Sequence, residues 1–161
     1  MNLSQKIAAA LDARTDELAP LPSNVSVEQG PHRLSLHLTA CGSVGVAFDT
    51  LDFKTSVRPD WPTDALKAWG DRIVTRLTYL MEPLLVLEVD RIGREVELRS
   101  QFPTARDGHR SYYEIRLDHN GALRLDRSSF DETTRLRRPA SCQMTREALE
   151  RLTDDLVACV A

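Results

Sequence analysis

Two segments of the chain repeat the pattern D-x-x-G: DRIGR at residues 90–94 and DHNGA at residues 118–122. An Asp close to a Gly occurs in calcium loops and in phosphate loops, so both segments are candidates for chemistry. A calcium loop needs several further oxygen ligands at fixed spacings, and neither segment supplies them. A phosphate loop needs its Gly to open a helix, and here each motif lies between runs of alternating apolar and charged residues. Both therefore read as hairpin turns. For Leu117 and Leu123 to share a face, the second must be a three-residue loop, His119-Asn120-Gly121, with Gly121 in the left-handed region. Asp118 then accepts a backbone hydrogen bond from two residues on. Matching Val89 with Val96 and Leu87 with Leu98 requires a four-residue loop over 91–94, or three residues with a bulge near Glu95. Gly93 is expected to carry the positive φ.

Two other loops concentrate arginine. TARDGHR holds Arg106, His109 and Arg110, and TRLRRPAS holds Arg135, Arg137 and Arg138. Brought together by the fold, they would form an anion-binding rim, because the guanidinium fork fits carboxylates and phosphates. Of the 21 basic residues only Lys6, Lys54 and Lys67 are lysines, a bias that a genome rich in G and C produces without any function. His32 and His37 fall on opposite faces of one strand and cannot share a metal. Cys41 has no histidine placed to activate it, and Ser43 in GSVG lacks the nucleophile-elbow pattern. No catalytic residue, metal or cofactor is assigned, so enzyme activity is unsupported rather than excluded, and the reading leans to a non-enzymatic chain.

A third candidate is a sheet face. Outward positions of the strands after the middle helix carry Glu88, Glu97, Tyr112, Glu114, Arg116 and Arg124. The expected register sets Glu88 opposite Glu97, Arg116 opposite Arg124, and Glu114 opposite Asp126. Like charges directly opposite destabilise a sheet, so neighbouring strands or a partner must neutralise them. A face that binds RNA needs several stacking aromatics, and only Tyr112 is present.

The elements that hold these residues follow from periodicity. Leu3, Ile7, Leu11 and Leu18 mark a helix over 2–18, and APLPSN at 19–24 is a proline-containing linker that would leave it free to move or to pack on a partner subunit. Val25 and Val27, then Leu34, Leu36 and Leu38, mark strands. The apolar parity switches between Val44, Val46, Phe48 and Leu51, Phe53, Val57, which implies a bulge near Asp49–Thr50. Leu66, Trp69, Ile73, Leu77 and Leu80 form the stripe of a second helix, capped by Asp60 or Thr63 and stopped by Pro83. Four strands follow at 84–91, 94–102, 111–119 and 122–130, with inward residues that include Leu85, Leu87, Val89, Val96, Leu98, Ile115, Leu117, Leu123 and Leu125. A third helix starts near Thr145 and buries Leu149, Leu152, Leu156 and Cys159 or Val160. The fold class is α+β, a two-layer sandwich in one domain over 1–161. Its antiparallel, twisted sheet has about six strands, four of them a meander after the middle helix, with three helices mainly on one face.

At 161 residues with 42% apolar side chains, the chain can bury a core without staples. Its net charge of −3 supplies no general attraction for nucleic acid or an anionic membrane. Cys41, Cys142 and Cys159 are odd in number and lack C-x-x-C spacing, so the expected location is the cytoplasm. The order helix, strands, helix, strands, helix is similar to that of small acidic secretion chaperones of bacteria. No diagnostic motif accompanies it, and the four-strand run is longer than that pattern. The expected function is a protein-interaction, adaptor or chaperone-like module, a homodimer or the holder of a protein partner. The alternative is a small-molecule or anion binder, with an enzyme among the options, that uses the arginine loops.

Overall fold

The computed structural model describes residues 1–160. Its first helix, α1 (Leu3–Asp16), opens on a capping box, in which the Asn2 side chain accepts from the Gln5 amide at 2.8 Å and the Gln5 side chain accepts from the Asn2 amide at 2.9 Å. Each satisfies a donor that the helix itself leaves orphaned. Leu3, Ile7 and Leu11 are buried. Leu18, expected on the same stripe, is exposed at φ +50° beyond the helix end. Arg146 ties the helix to the body through the Ala8 carbonyl at 3.0 Å and Asp12 at 2.7 Å.

The strands are β1 (Ser23–Gln29), β2 (His32–Cys41), β3 (Gly45–Thr55), β4 (Leu84–Asp90), β5 (Glu95–Ser100), β6 (Thr104–Arg106), β7 (His109–Asp118), β8 (Ala122–Asp131), β9 (Arg137–Ala140) and β10 (Cys142–Thr145). Two further helices are α2 (Thr63–Arg76) and α3 (Arg146–Ala158). Every strand pair is antiparallel, in the order β1-β2-β3-β8-β7-β5-β4, with β10 on β3, β6 on β7 and β9 on β8. The chain is α+β, and the meander after α2 is present. The sheet has ten strands where about six were expected. Three of the added ones, β6, β9 and β10, are three or four residues long and lie in segments without apolar alternation.

The register obeys the apolar pattern wherever that pattern is unambiguous. Leu117 lies opposite Leu123, Gly121 has φ +80°, and its amide donates to the Asp118 carbonyl at 3.1 Å, as the three-residue turn requires. In β3 the partners jump from Leu36↔Leu51 to Leu38↔Phe48, so one extra residue bulges at the expected place. At the first D-x-x-G, Val89 faces Val96 across the four-residue loop, but it is Arg94 at φ +57° that carries the left-handed conformation. Gly93 is needed for another reason. Asp90 Oδ1 accepts from the Ile92 and Gly93 amides at 3.1 and 2.8 Å, and its carboxylate fills the space a side chain on Gly93 would take. The pairing of Leu87 with Leu98 does not form: Val86 faces Leu98, the register shifts before Glu88, and Leu87 is left exposed.

α2 starts without a side-chain cap, because Pro62, which has no side-chain acceptor, stands at the N-cap position and Thr63 is already the first helical residue; Asp60 pairs with Arg94 and His119 instead. Its helical turns end at Arg76, yet Leu77 and Leu80 of the expected stripe remain buried in the segment that follows. Gly70 lets α2 approach closely; a Cβ there would lie 3.2 Å from Leu98 Cδ2 and 3.4 Å from Val96 Cγ1. α3 is capped by Thr145, whose hydroxyl accepts from the Ala148 amide at 3.0 Å. The outer edge of β1 is covered by basic side chains of α1: Lys6 donates to the Glu28 carbonyl and Arg14 to the Asn24 carbonyl, each at 2.7 Å. Eight residues of helix rise about 12 Å and four of strand about 13 Å, so the two spacings match.

The two turn glycines separate by substitution. Gly121→Ala places a Cβ 2.4 Å from the Thr55 carbonyl oxygen on a left-handed backbone, whereas Gly93→Ala meets only the end of the Asp90 side chain, which can rotate. Urea unfolding is expected to show a loss of about 2–4 kcal/mol for Gly121→Ala and about 1 kcal/mol for Gly93→Ala. Equal losses would contradict this account.

Candidate functional site

The side chains of one parity, among them Leu51, Phe53, Leu123, Leu125, Ile115, Leu117, Val96 and Leu98, are buried. The opposite parity carries charge. One row across neighbouring strands reads Glu88 on β4, Glu97 on β5, Arg116 on β7, Arg124 on β8 and Asp52 on β3. The next reads Leu85, Arg99, Glu114, Asp126 and Thr50. The expected like-charge oppositions are all there: Glu88↔Glu97, Arg116↔Arg124 and Glu114↔Asp126. Neighbouring side chains offset them in part, since Arg124 pairs with Asp52 of β3 at 2.9 Å and Arg99 meets Glu97 of its own strand and Glu114 of β7, both at 3.1 Å. Arg116 has no ion-pair partner among the described residues.

Tyr112 lies between two arginines. The guanidinium of Arg99 lies 5.4 Å from its ring centroid and that of Arg137 lies 5.9 Å away. Both arginines also reach Glu114, one on each oxygen, and Arg137 Nε donates to Ser128 Oγ at 3.2 Å. Glu114 is only 9% exposed, and these two neighbours offset the cost of burying a carboxylate. Arg99 faces Oε1 as an ion pair without the alignment of a hydrogen bond. Asp126 stands beside Glu114; its carboxyl is held above the ordinary range by burial first and then by the Glu114 charge. Glu114, Asp126 and Arg137, with Glu97, Arg116 and Arg124, line a small cavity of about 140 Å³.

The two arginine loops do become neighbours. Arg106 pairs with His109 across the β6–β7 hairpin, and the Glu132 amide donates to the Gly108 carbonyl at 2.9 Å. Their arginines, however, are bound to different groups. Arg110 pairs with Glu132, Arg135 (φ +60°) lies 5.6 Å from the Phe130 ring, and Arg137 turns to Glu114. Arg138 has no ion-pair partner among the described residues and lines a groove of about 460 Å³ where β3 and β8 part. Asp49, Asp126 and Arg137 line it as well.

Sequence reasoning missed Arg99 and Asp126 as members of the site, although alternation already pointed both outward. It placed Arg137 in an anion-binding rim, because nothing in the sequence shows that β9 lies on β8 and carries Arg137 to Tyr112. It also missed the pair His37 Nδ1–Asp49 Oδ2 at 3.1 Å, which the β3 bulge creates. Burial raises the thiols of Cys142, to about 12, and Cys159. Such thiols are poor nucleophiles. Among the described residues no group of three or more His, Cys, Asp or Glu could hold a metal ion, and no helix is long and apolar enough to cross a membrane.

The raised carboxyl gives a signed pH dependence. Folding holds the Asp126 proton more tightly than the unfolded chain does, so this group stabilises least once pH has risen from its unfolded value of 3.8 through its higher folded value. Asp126→Asn removes that loss. Urea unfolding from pH 3.5 to 7 is expected to show the variant gaining stability relative to the parent chain as pH rises; a constant difference would refute the assignment. No family model matches the chain, and no curated protein or solved structure matches it.

Proposed function

We propose that this chain is a non-enzymatic protein-interaction module, adaptor- or chaperone-like and homodimeric, that binds through the sheet face centred on Tyr112. The helices then cover the apolar parity of the sheet as one layer of a two-layer sandwich, and the charged parity is left for a partner. The observation that carries this reading is the clamp around Tyr112, with Arg99 and Arg137 both beside the ring and both on the buried Glu114. Tyrosine and arginine dominate the residues that contribute most to protein interfaces. A side chain already held in place loses less freedom on binding, which lowers the cost of association. The soluble, cytoplasmic setting expected from composition suits such a module.

A second reading, the binding of a small anion, is favoured by one feature, the unpaired Arg138 in the groove between β3 and β8. Thermal unfolding with millimolar phosphate or dicarboxylate should then shift upward and lose that shift in Arg138→Ala, since a ligand that binds only the folded chain stabilises it.

The interaction face is tested by replacing Tyr112 with a photo-crosslinking phenylalanine analogue in the intact chain, with Thr75, exposed on α2, as the control position. Protein adducts are expected at position 112 well above those at 75, and Arg137→Ala should reduce them several-fold while the circular dichroism is unchanged. Equal adduct yields at the two positions would remove the basis for the proposal.

A further inference from the structure

The row Glu88, Glu97, Arg116, Arg124 runs across four consecutive strands with its charges grouped as two acids followed by two bases. Neighbouring strands lie about 4.8 Å apart, so the row spans about 14 Å. Its midpoint falls between β5 and β7. Turning the row about an axis through that midpoint, parallel to the strands, brings Glu97 onto Arg116 and Glu88 onto Arg124. The same rotation brings Arg99 onto Glu114 in the adjacent row. At these contacts the two rows are complementary in charge to themselves, which is the condition for a two-fold interface, where one patch meets its own copy.

We propose that a second copy of this chain docks face to face on the sheet, about a two-fold axis parallel to the strands and lying between β5 and β7. Glu97 of each copy meets Arg116 of the other, and Glu88 meets Arg124. This rests on the reading of the face as a protein-binding surface and names the partner. Arg116 is exposed and lacks an ion-pair partner within its own chain among the described residues, so its charge is available to the second copy. At the turn end the same rotation sets Asp90 on Ala122 and Glu95 on Asp118, one like-charge contact in each half of the interface, and Asp118 has an oxygen turned back onto the Asn120 and Ala122 amides of its own turn. Two packed sheets also cross at about 30°, which separates the ends of the rows from one another.

The test uses the purified full chain in sedimentation velocity at low salt. A concentration-dependent dimer is expected, weakening as salt rises because the pairs that form it are screened. Glu97→Arg and Arg116→Glu should each weaken association roughly tenfold or more. Mixing the two variants should restore it. One variant then carries acids at both 97 and 116 and the other carries bases at both, so every cross pair is again opposite in sign. No rearrangement inside a single chain can produce rescue by mixing. If either variant fails to fold by circular dichroism, the exposed pair Glu88→Lys and Arg124→Glu gives the same design. A monomer at all concentrations, a dimer indifferent to these reversals, or folded variants that stay monomeric on mixing would each overturn the proposal. Monomeric protein that still gives adducts at position 112 with other proteins would overturn self-docking alone and leave the interaction face standing.

Discussion

Gly121 sits at φ +80° with the Thr55 carbonyl oxygen 2.4 Å from where a Cβ would be. Around it the turn is fastened to two other parts of the chain: the Thr55 amide donates to the Gly121 carbonyl at 3.0 Å, and the Trp61 amide donates to the His119 carbonyl at 2.9 Å. Trp61 in turn stacks on Trp69 of α2, with ring centroids 4.7 Å apart. One loop thus fixes the pairing of β7 with β8, holds β8 beside β3, and aligns the segment that leads into α2. A slip of one residue here would turn every side chain of β7 or β8 to the other face. The charged rows exist only in the register that this turn enforces.

Away from the turn the sheet is less regular, and its irregularity is managed by a buried ion pair. β3 and β8 pair only from Thr50↔Asp126 to Lys54↔Ala122. Beyond that point β9 takes the edge of β8 and β10 takes the edge of β3. Arg127, the next residue of β8 with core-facing parity, falls at this fork. Glu82, 1% exposed, meets it at 3.0 Å, accepts from Thr104 Oγ1 at 2.7 Å, and so joins the segment after α2 to β8 and β6. The Arg127 guanidinium also lies 5.2 Å from the Tyr113 ring. Such a pair adds little net stability because both charges are desolvated, but removing one partner strands the other in the interior. Its role is to hold the fork in one arrangement.

The elements legible in the sequence were those whose burial leaves a period. Leu66, Trp69 and Ile73 marked α2; Leu117 and Leu123 fixed a turn length; the parity switch from Phe48 to Leu51 located a bulge. Each is a case in which one face is buried and the other is not. The run LLVLEV in β4 failed because consecutive apolar residues fit either parity, so the bulge that exposes Leu87 left no trace. β6, β9 and β10 are too short to show a period, and Pro139 and the arginines of β9 read as loop. The candidate site divides in the same way. Glu97, Tyr112, Glu114, Arg116 and Arg124 followed from alternation alone. Arg137 did not, because its place beside Tyr112 depends on a strand pairing that only the folded chain reveals.

The grouping of charge on this face is harder to explain for a solitary chain than for one with a partner. Cross-strand neighbours of opposite sign stabilise a sheet and like neighbours destabilise it, so an isolated fold is best served by strict alternation along each row. Here Glu88 faces Glu97 and Arg116 faces Arg124, while the favourable contacts of the row are Glu97 beside Arg116 and Arg124 beside Asp52. The arrangement gives up two favourable neighbour pairs and keeps two unfavourable ones. What it produces in exchange is one row in which two adjacent acids stand beside two adjacent bases, held in fixed positions by the Gly121 turn and by the Arg99–Glu114–Arg137 clamp. A row divided in this way adds nothing to the core, and the second copy proposed above, rotated by half a turn, sets its acids on bases.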